Sequence, residues 1–259
     1  MSALSLSLPG TARRAAFGKI VHNEARLAWR RPAGLIAGIG LPVVLLIIFG
    51  ELPSFHKASA SFGGLTGFDV YLPVLVVLSL ALLALWGVPG PLVSYREQGI
   101  LRRLSTTPIS PSWMLAAQVV VQLCIAVAGV AVIIVAGMAA FGASAPQSPG
   151  GLVLSCALSS AGLLSLGLLI AALAPTSGSV SVISRLTFIP LMFFAGLWVP
   201  RAIMPGVLLN ISNYTLLGAA VEAIQDSMQK GFPPVMPLLV LAGYALALGF
   251  LAWRFFRWE

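Results

Sequence analysis

Long apolar runs constrain this chain more than any other feature. An α-helix needs roughly 17 to 25 apolar residues to cross the hydrocarbon core of a bilayer, and six runs reach or exceed that length. With 59% hydrophobic and 8% charged residues, the composition also lies far from the soluble average of about 25% charged. The sequence therefore predicts an all-α polytopic membrane protein. Its six transmembrane helices are expected at 33–50, 70–93, 113–141, 151–174, 180–199 and 235–253.

The basic residues determine the predicted orientation. If both termini are cytoplasmic, all but three of the 15 lysines and arginines lie on the inner side, and the exceptions are Lys57, Arg201 and Lys230. Cytoplasmic loops of membrane proteins carry such an excess. Arginines outnumber lysines, and alanine and glycine are abundant, as in bacterial genomes rich in G and C. We therefore expect a multi-pass protein of the bacterial inner membrane with both termini in the cytoplasm.

The charged residues exclude several classes of function. Arg185 is the only charge within a predicted span, whereas ion-coupled transporters usually keep an ionisable group inside the membrane. The two histidines, His22 and His56, are far apart, and the sequence contains neither H-E-x-x-H nor G-x-x-x-x-G-K-[ST]. We therefore expect no catalytic site, no bound metal and no ATP hydrolysis in this chain. Energy for any work must come from a partner.

Residues 12–31 have the pattern of an amphipathic helix. Apolar side chains recur at helical spacing, and basic and polar residues fill the rest of the circle. We expect residues 1–32 to form a cytoplasmic tail with an interfacial helix, ahead of a transmembrane domain at 33–259. The alternative is a loosely ordered basic tail that only sets the topology. The apolar positions are Phe17, Ile20, Val21, Leu27 and Ala28.

A short polar segment, YREQGILRRLSTTPISPSWM at 95–114, separates the second and third spans. Its charges are interleaved with a small apolar face, and prolines bound it on both sides. A helix of two or three turns fits between these prolines, and so short a helix needs a docking surface to be stable. The alternative is an ordinary positively charged loop. The charged residues are Arg96, Glu97, Arg102 and Arg103, and the apolar face is Ile100, Leu101 and Leu104.

Three motifs occur in order along the chain. The pattern RE-x-G-x-L-x-x-L-x-x-T-P-[IVL]-S begins at Arg96, PLMFFAGLWVPRAIMP spans 190–205, and VEAIQDSM spans 221–228. Together they resemble the ABC-2 type exporter permeases, and more narrowly the daunorubicin-resistance-like drug efflux permeases, over nearly the whole chain. The chain departs from that pattern at Arg102 and Arg103, and again at 213–216.

The resemblance implies that 96–108 is a coupling helix seated in a cleft of a separate ABC ATP-binding subunit. That subunit would bind ATP and Mg²⁺, and this chain would hold no cofactor. Two permease subunits, either two copies or this chain with a paralogue, would work with two ATPase subunits. No nucleic acid is expected as a partner. The residues assigned to coupling are Arg96, Glu97, Gly99, Leu101, Arg102, Arg103, Leu104 and Pro108.

The resemblance also implies that 201–229 forms two short re-entrant helices that cap the exit path. We assign Pro200, Pro205, Asn213 and Glu222 to this extracellular gate.

Aromatic and methionine side chains of the fifth span are candidates for the substrate path, although they could equally be ordinary helix packing. Such adaptable surfaces favour a lipophilic or amphipathic small molecule, such as a drug, antibiotic or lipid. Export of a glycan, and a membrane scaffold that transports nothing, remain alternatives. Membrane lipids are expected around the spans. The candidate path residues are Phe188, Met192, Phe193, Phe194 and Trp198.

Overall fold

Helices make up the regular secondary structure of the described residues, as the apolar runs predict. The computed structural model describes residues 10–30, 33–59, 62, 64–100 and 111–256. Within these ranges no strand occurs, apart from one isolated bridge between Ala58 and Thr66. The helices are α1 Gly10–Arg30, α2 Ala33–Leu35, α3 Leu41–Glu51, α4 Gly67–Gly87, α5 Pro89–Glu97, α6 Pro111–Phe141, α7 Pro149–Leu173, α8 Ser177–Ala195, α9 Gly206–Asn213, α10 Leu216–Gln229 and α11 Val235–Phe255.

Five helical segments of the described chain are long and apolar enough to cross a membrane. A sixth crossing results if α9 and α10, which are bent by 90° at a short break, are counted as one span. The first predicted span instead falls on α2, a π-helical turn at Ile36–Gly40 and α3, whose apolar part is shorter. The prediction of an all-helical, multi-pass membrane protein is therefore confirmed. The five long segments are Gly67–Glu97, Trp113–Phe141, Pro149–Leu173, Ser177–Ala195 and Val235–Phe255.

Helix α4 lies at the centre of the molecule. The most apolar stretch of α4 and α5 is 89% buried, against 17% for α11. Helices α3, α6, α7, α8 and α10 pack around α4, and α11 packs mainly on α7. Helix α7 approaches the backbone of α4 closely at Gly167, where an added Cβ would lie 2.5 Å from the carbonyl oxygen of Ala84. The outer helices therefore keep apolar faces for lipid or for another chain.

Prolines within α4 and α5 release backbone carbonyls, because proline cannot donate the hydrogen bond that the residue four positions earlier would accept. Pro73 releases the carbonyl of Asp69, which accepts a bond of 2.8 Å from Gln229 Nε2. In a water-free environment such a carbonyl needs a partner inside the protein. A side chain of α10 therefore fastens that helix to α4.

The same effect operates at the junction of α4 and α5. Pro89 releases the carbonyl of Leu85, which accepts from the Ser184 hydroxyl at 2.9 Å. Pro91 releases the carbonyl of Gly87, which two glutamines of α6 approach at 2.8 and 3.0 Å. Both prolines are tolerated because side chains of other helices satisfy the freed groups.

The second span therefore continues past these prolines, which in the sequence mark the boundary of the polar segment. Only Val88 interrupts the helix, and α4 with α5 passes as a single segment of 31 residues that ends at Glu97. The start of the predicted coupling stretch is consequently the last turn of this long helix. Arg96 and Glu97 therefore belong to the same helical segment as the central helix.

Helix α1 covers the range predicted for an amphipathic helix and packs against α6. The rings of Phe17 and Trp113 meet edge to face with centroids 6.1 Å apart. The most buried described position of α1 is Glu24, at 5% exposure, whereas Leu27 and Trp29 are exposed. The inward face thus contains one carboxylate that the apolar pattern did not indicate.

Candidate functional site

Two adjacent charges at the end of α5 hold the turn between α7 and α8. The guanidinium of Arg96 donates to the carbonyl of Ala171 at 3.4 Å and also to that of Ala174, at the last turn of α7. The carboxylate of Glu97 accepts from the backbone N–H of Ser177 at 2.9 Å and from its hydroxyl at 2.5 Å, at the first residue of α8. We call these two residues, with the groups they bind, the clamp.

The signs of the clamp charges match the helix ends that they contact. A cation is favoured at a helix C-terminus and an anion at an N-terminus, where carbonyls and N–H groups lack partners within the helix. Thr176 already caps α8 through Ser179, so Glu97 takes a further N–H at this end. The clamp therefore fixes the end of α5 to two other helices at one point.

The rest of the predicted coupling stretch is described only in part. Gly99 has a positive φ of 67°, a conformation that glycine adopts without strain, and it ends the helical course of α5. Leu101, Arg102, Arg103, Leu104 and Pro108 lie outside the described residues. Arg96 and Glu97 thus have partners within this chain, and their contact with an ATPase stays a prediction.

A second polar cluster lies at the opposite end of α8, around Arg201. Its Nη2 donates to Asn213 Oδ1 at 2.6 Å and to Glu222 Oε2 at 2.8 Å, and Nη1 donates to the carbonyl of Gly218. The side chain of Arg201 is 10% exposed and that of Glu222 is 29% exposed. Burial lowers the pKa of Arg201, and the nearby Glu222 carboxylate opposes that shift. The ion pair replaces hydration that the guanidinium has lost.

Two of the four residues predicted for the gate belong to this cluster. Asn213 and Glu222 bind Arg201, Pro200 precedes the short 3₁₀ turn that contains it, and Pro205 precedes α9. Sequence reasoning missed the central role of Arg201, which it treated only as an outer basic residue. The available signal was a single arginine between two gate prolines.

The bend between α9 and α10 is held by short side chains. Ser212 Oγ donates to the carbonyl of Phe194 at 2.6 Å, which joins the bend to the end of α8. Thr215 caps α10 by accepting from the N–H of Gly218 at 3.1 Å, and it donates to the carbonyl of Ser212 at 2.8 Å. The polar backbone of this tight turn is therefore bonded within the protein.

Three of the five candidate path residues line one open groove of about 390 Å³ on α8. Phe193, Phe194 and Trp198 form it together with Ile189 and Pro190. The other two candidates lie elsewhere: Met192 is fully buried in the core, and Phe188 packs edge to face against Trp86 at 5.3 Å. The groove is almost entirely apolar and can accept a lipophilic surface without any charged partner.

Helix α8 connects these features. Ser177 at its first turn belongs to the clamp, and Phe194 near its last turn touches both the groove and the bent helix pair. At 1.5 Å per residue, a helix of 19 residues spans about 28 Å, close to the thickness of the hydrocarbon core. Helix α8 thus extends from the clamp to the groove and the bent helix pair.

The described chain is thus a multi-pass helical membrane protein with a polar cluster at each end of α8. Comparison with known proteins agrees: residues 15–228 match the ABC-2 type transporter family, and the chain belongs to that family. Membrane subunits of this family are generally non-catalytic, and membership implies an ATP-binding partner in general.

Two relatives carry the name "Putative transport permease ycf38". The protein from Porphyra purpurea is 27% identical over 202 residues, which cover 76% of this chain and 68% of the relative. The protein from Pyropia yezoensis is 27% identical over 198 residues, which cover 75% and 67% respectively. This chain is therefore similar to transport permeases through most of its length.

Proposed function

We propose that this chain is the membrane subunit of an ATP-driven exporter, resembling the daunorubicin-resistance-like efflux permeases. It moves a lipophilic or amphipathic molecule out of a bacterial cell through the inner membrane. Both termini and the clamp lie on the cytoplasmic side, and the Arg201 cluster lies outside. The single observation that carries the proposal is the course of α8, which joins the clamp to the groove and to the bent helix pair.

The coupling step begins at the segment 96–108, where an ATP-binding subunit docks. Closure of that subunit displaces the end of α5, and the clamp passes the displacement to the ends of α7 and α8 through Arg96 and Glu97. Bonds to helix ends suit this role because they act on whole helices rather than on one side chain. Arg102 and Arg103 are left to face the ATPase and to orient it.

The outer part of the path is closed by the bent helix pair. We assign α9 and α10 as short re-entrant helices, because non-helical backbone at membrane depth must be covered by protein, and side chains of the protein bond to the turn between them. Arg201 fixes this cap to the end of α8. Movement of α8 therefore reaches both the groove and its cap.

The groove contributes the apolar contact for the substrate. Aromatic faces with few polar atoms bind molecules of varied shape, which fits a drug or lipid-like substrate better than a glycan. Exposed apolar residues along α6, α8 and α11 leave room for lipid and for a second permease copy. Two copies with two ATPase subunits would form the working unit.

Co-expression with the ATP-binding subunits of the same genome tests this proposal. We expect a tagged form of this chain to retain one such subunit, and the complex in proteoliposomes to export a lipophilic dye only when ATP is hydrolysed. The control is the same complex carrying an ATPase subunit whose P-loop lysine is replaced. A chain that assembles stably with other membrane proteins and never with an ATPase would instead be a scaffold.

A further inference from the structure

Arg185 is the charge that lies furthest from a helix end in the five long apolar segments. It is the ninth residue of α8, so about 12 Å of helix separates it from Ser177 at a rise of about 1.5 Å per residue. A charge inside a membrane is costly, and it usually faces a partner or a path for polar groups. Its position therefore indicates a functional contact. Every other charge of these segments is among the three residues at one end, namely Asp69, Arg96, Glu97 and Arg254.

The face of α8 that carries Arg185 is turned away from the central helix. The preceding residue, Ser184, is buried and donates to the carbonyl of Leu85 in α4 at 2.9 Å. Arg185 itself is exposed, and it forms no hydrogen bond or ion pair with the described residues. A guanidinium offers several N–H donors in a planar fork. The side chain of Arg185 is therefore accessible to a ligand and has its donors available.

The groove on α8 begins one helical turn beyond Arg185. Ile189 lines the groove, and residues four apart are neighbours on a helix surface, with Cβ atoms about 5 to 6 Å apart. The exposed side chain of Leu186 lies beside Arg185 and continues the apolar surface to Pro190, four residues further along. The exposed face of α8 thus has a cation toward the clamp and an apolar groove toward the Arg201 cluster. This arrangement is amphipathic.

A second copy of this chain offers no carboxylate to Arg185 at the same depth. Asp69 and Glu97 are the only acidic residues in the five long segments, and both are at segment ends. Glu97 is bound to Ser177 in the clamp, and Asp69 accepts from Thr66 at the start of α4. The charge of Arg185 therefore suits an anion that comes from outside the described protein.

We propose that Arg185 and the groove on α8 bind an amphipathic anion. Its carboxylate, phosphate or sulfonate group meets the guanidinium, since paired N–H donors match two oxygens of such a group. Its apolar part lies in the groove. Phe193 of the groove is eight residues from Arg185, or about 12 Å along the helix, and the anion must span about that length. This assignment rests on the proposed function, because it gives a charge to the substrate of the same groove.

Photolabelling of the purified full-length chain tests the site without an ATPase. The probe is dodecanesulfonate with a diazirine near its terminal carbon, in phosphatidylcholine nanodiscs, and labelled peptides are mapped by mass spectrometry. The competitors are dodecanesulfonate, uncharged dodecanol and cationic dodecyltrimethylammonium, compared at equal mole fraction in the bilayer. We expect the sulfonate to displace the probe from peptides of 189–198 at about tenfold lower mole fraction than the other two, because only the anion forms a charge-assisted bond with arginine.

Matched variants assign this preference to Arg185. Arg185→Gln should fold, since the side chain bonds to no described residue, and it should abolish the preference for the sulfonate. Arg185→Lys keeps the charge and should keep most of the preference. Arg254→Gln removes an exposed arginine near the end of α11, outside the groove, and should compete like the wild type.

Two results would overturn the proposal. One is equal competition by all three compounds in the wild type, and the other is a preference that survives in Arg185→Gln. Arg185 would then be a residue that reaches the phosphates of surrounding lipids through its long side chain.

The bilayer composition distinguishes an anionic lipid from a free amphiphile. Phosphatidylglycerol has a net negative head group, and phosphatidylcholine has no net charge. If phosphatidylglycerol suppresses labelling of the groove in the wild type but not in Arg185→Gln, the natural occupant is an anionic lipid. If labelling of the wild type persists in phosphatidylglycerol, the site serves a free amphipathic anion.

Export assays separate this assignment from the proposed function. In proteoliposomes with the ATPase subunit, Arg185→Gln should lose export of a carboxylated lipophilic dye and retain export of its uncharged form. A wild type that exports only the uncharged form would overturn the anionic substrate. A wild type that exports neither dye would contradict the proposed function, whereas the photolabelling result would stand, because that assay contains no ATPase.

Discussion

Replacing Arg201 with alanine is expected to lower the free energy of unfolding by about 3 kcal/mol and to abolish export. The substitution leaves Glu222 partly buried without its cation, and it removes donors from Asn213 and from the carbonyl of Gly218. Breaking a buried ion pair by removing one partner typically costs about 3 to 5 kcal/mol, and the partial exposure of Glu222 favours the lower end. Unfolding by SDS titration in mixed micelles measures the change.

The substitution Lys57→Ala provides the control. Lys57 is exposed and forms no ion pair with the described residues. Surface substitutions of this kind change stability by at most about 0.5 kcal/mol, so Lys57→Ala should unfold almost like the wild type. Arg201→Lys should fall between the two, because it keeps the charge and loses the forked donors. Equal losses in Arg201→Ala and Lys57→Ala would show that the cluster does not hold the cap.

Replacing Gly218 with alanine is expected to open the bend between α9 and α10. An added Cβ would lie 2.0 Å from the carbonyl oxygen of Ser212, and backbone cannot move aside as a side chain can. Overpacking of this kind costs about 1 to 3 kcal/mol, and here the strain also falls on the carbonyl that Arg201 binds. We expect a lower melting temperature and loss of export.

Gly206→Ala is the matched control within the same helix pair. Nothing lies within 4 Å of an added Cβ at this position, which is the first residue of α9. Alanine is preferred over glycine in helices by roughly 0.5 to 1 kcal/mol, so stability should stay constant or rise slightly. A melting temperature for Gly218→Ala equal to that of Gly206→Ala would contradict the close approach.

The coarse fold could be predicted because the signal for a membrane span lies in residues that are neighbours in the sequence. Apolar length predicts the long helices, because this signal acts over neighbouring residues. The two short helices expected at 201–229 followed from the family resemblance. The amphipathic pattern of 12–31 likewise gave a helix at Gly10–Arg30. These helices could be predicted without knowing which residues pack against them.

The contacts of the site could not be predicted, because they join residues far apart in the chain. Arg96 reaches Ala174 and Glu97 reaches Ser177 across 78 and 80 positions, and nothing local in the coupling motif indicates these partners. Glu24 likewise accepts a hydrogen bond from a tyrosine 71 positions away.

One long-range signal was available in the sequence. A proline inside an apolar run indicates that the carbonyl four residues earlier has no hydrogen-bond donor within its helix. A polar side chain of another span must then donate to that carbonyl. In the sequence, Pro89 and Pro91 indicate only a boundary of the polar segment at 95–114. The side chains that donate to these carbonyls are polar residues in otherwise apolar spans, namely Gln118, Gln122 and Ser184.

The proposed coupling depends on the clamp, and the substitution Ser177→Pro tests the clamp most directly. Proline is well tolerated at the first helical position, and Thr176 before it already has the extended backbone that proline requires. The substitution removes both the N–H and the hydroxyl that bind Glu97, while α8 and the ATPase-facing segment stay intact. Ser181→Ala, which removes only a weak bond of 3.4 Å on the same helix, is the control.

The measurement is the number of substrate molecules exported per ATP hydrolysed, in proteoliposomes that contain the permease with its ATPase subunit. We predict that Ser177→Pro and Glu97→Gln both lower this ratio severalfold while each chain still binds the ATPase, and that Ser181→Ala leaves it unchanged. If Ser177→Pro exports like the wild type while Glu97→Gln loses the ATPase, Glu97 acts on the partner directly and the clamp does not transmit coupling.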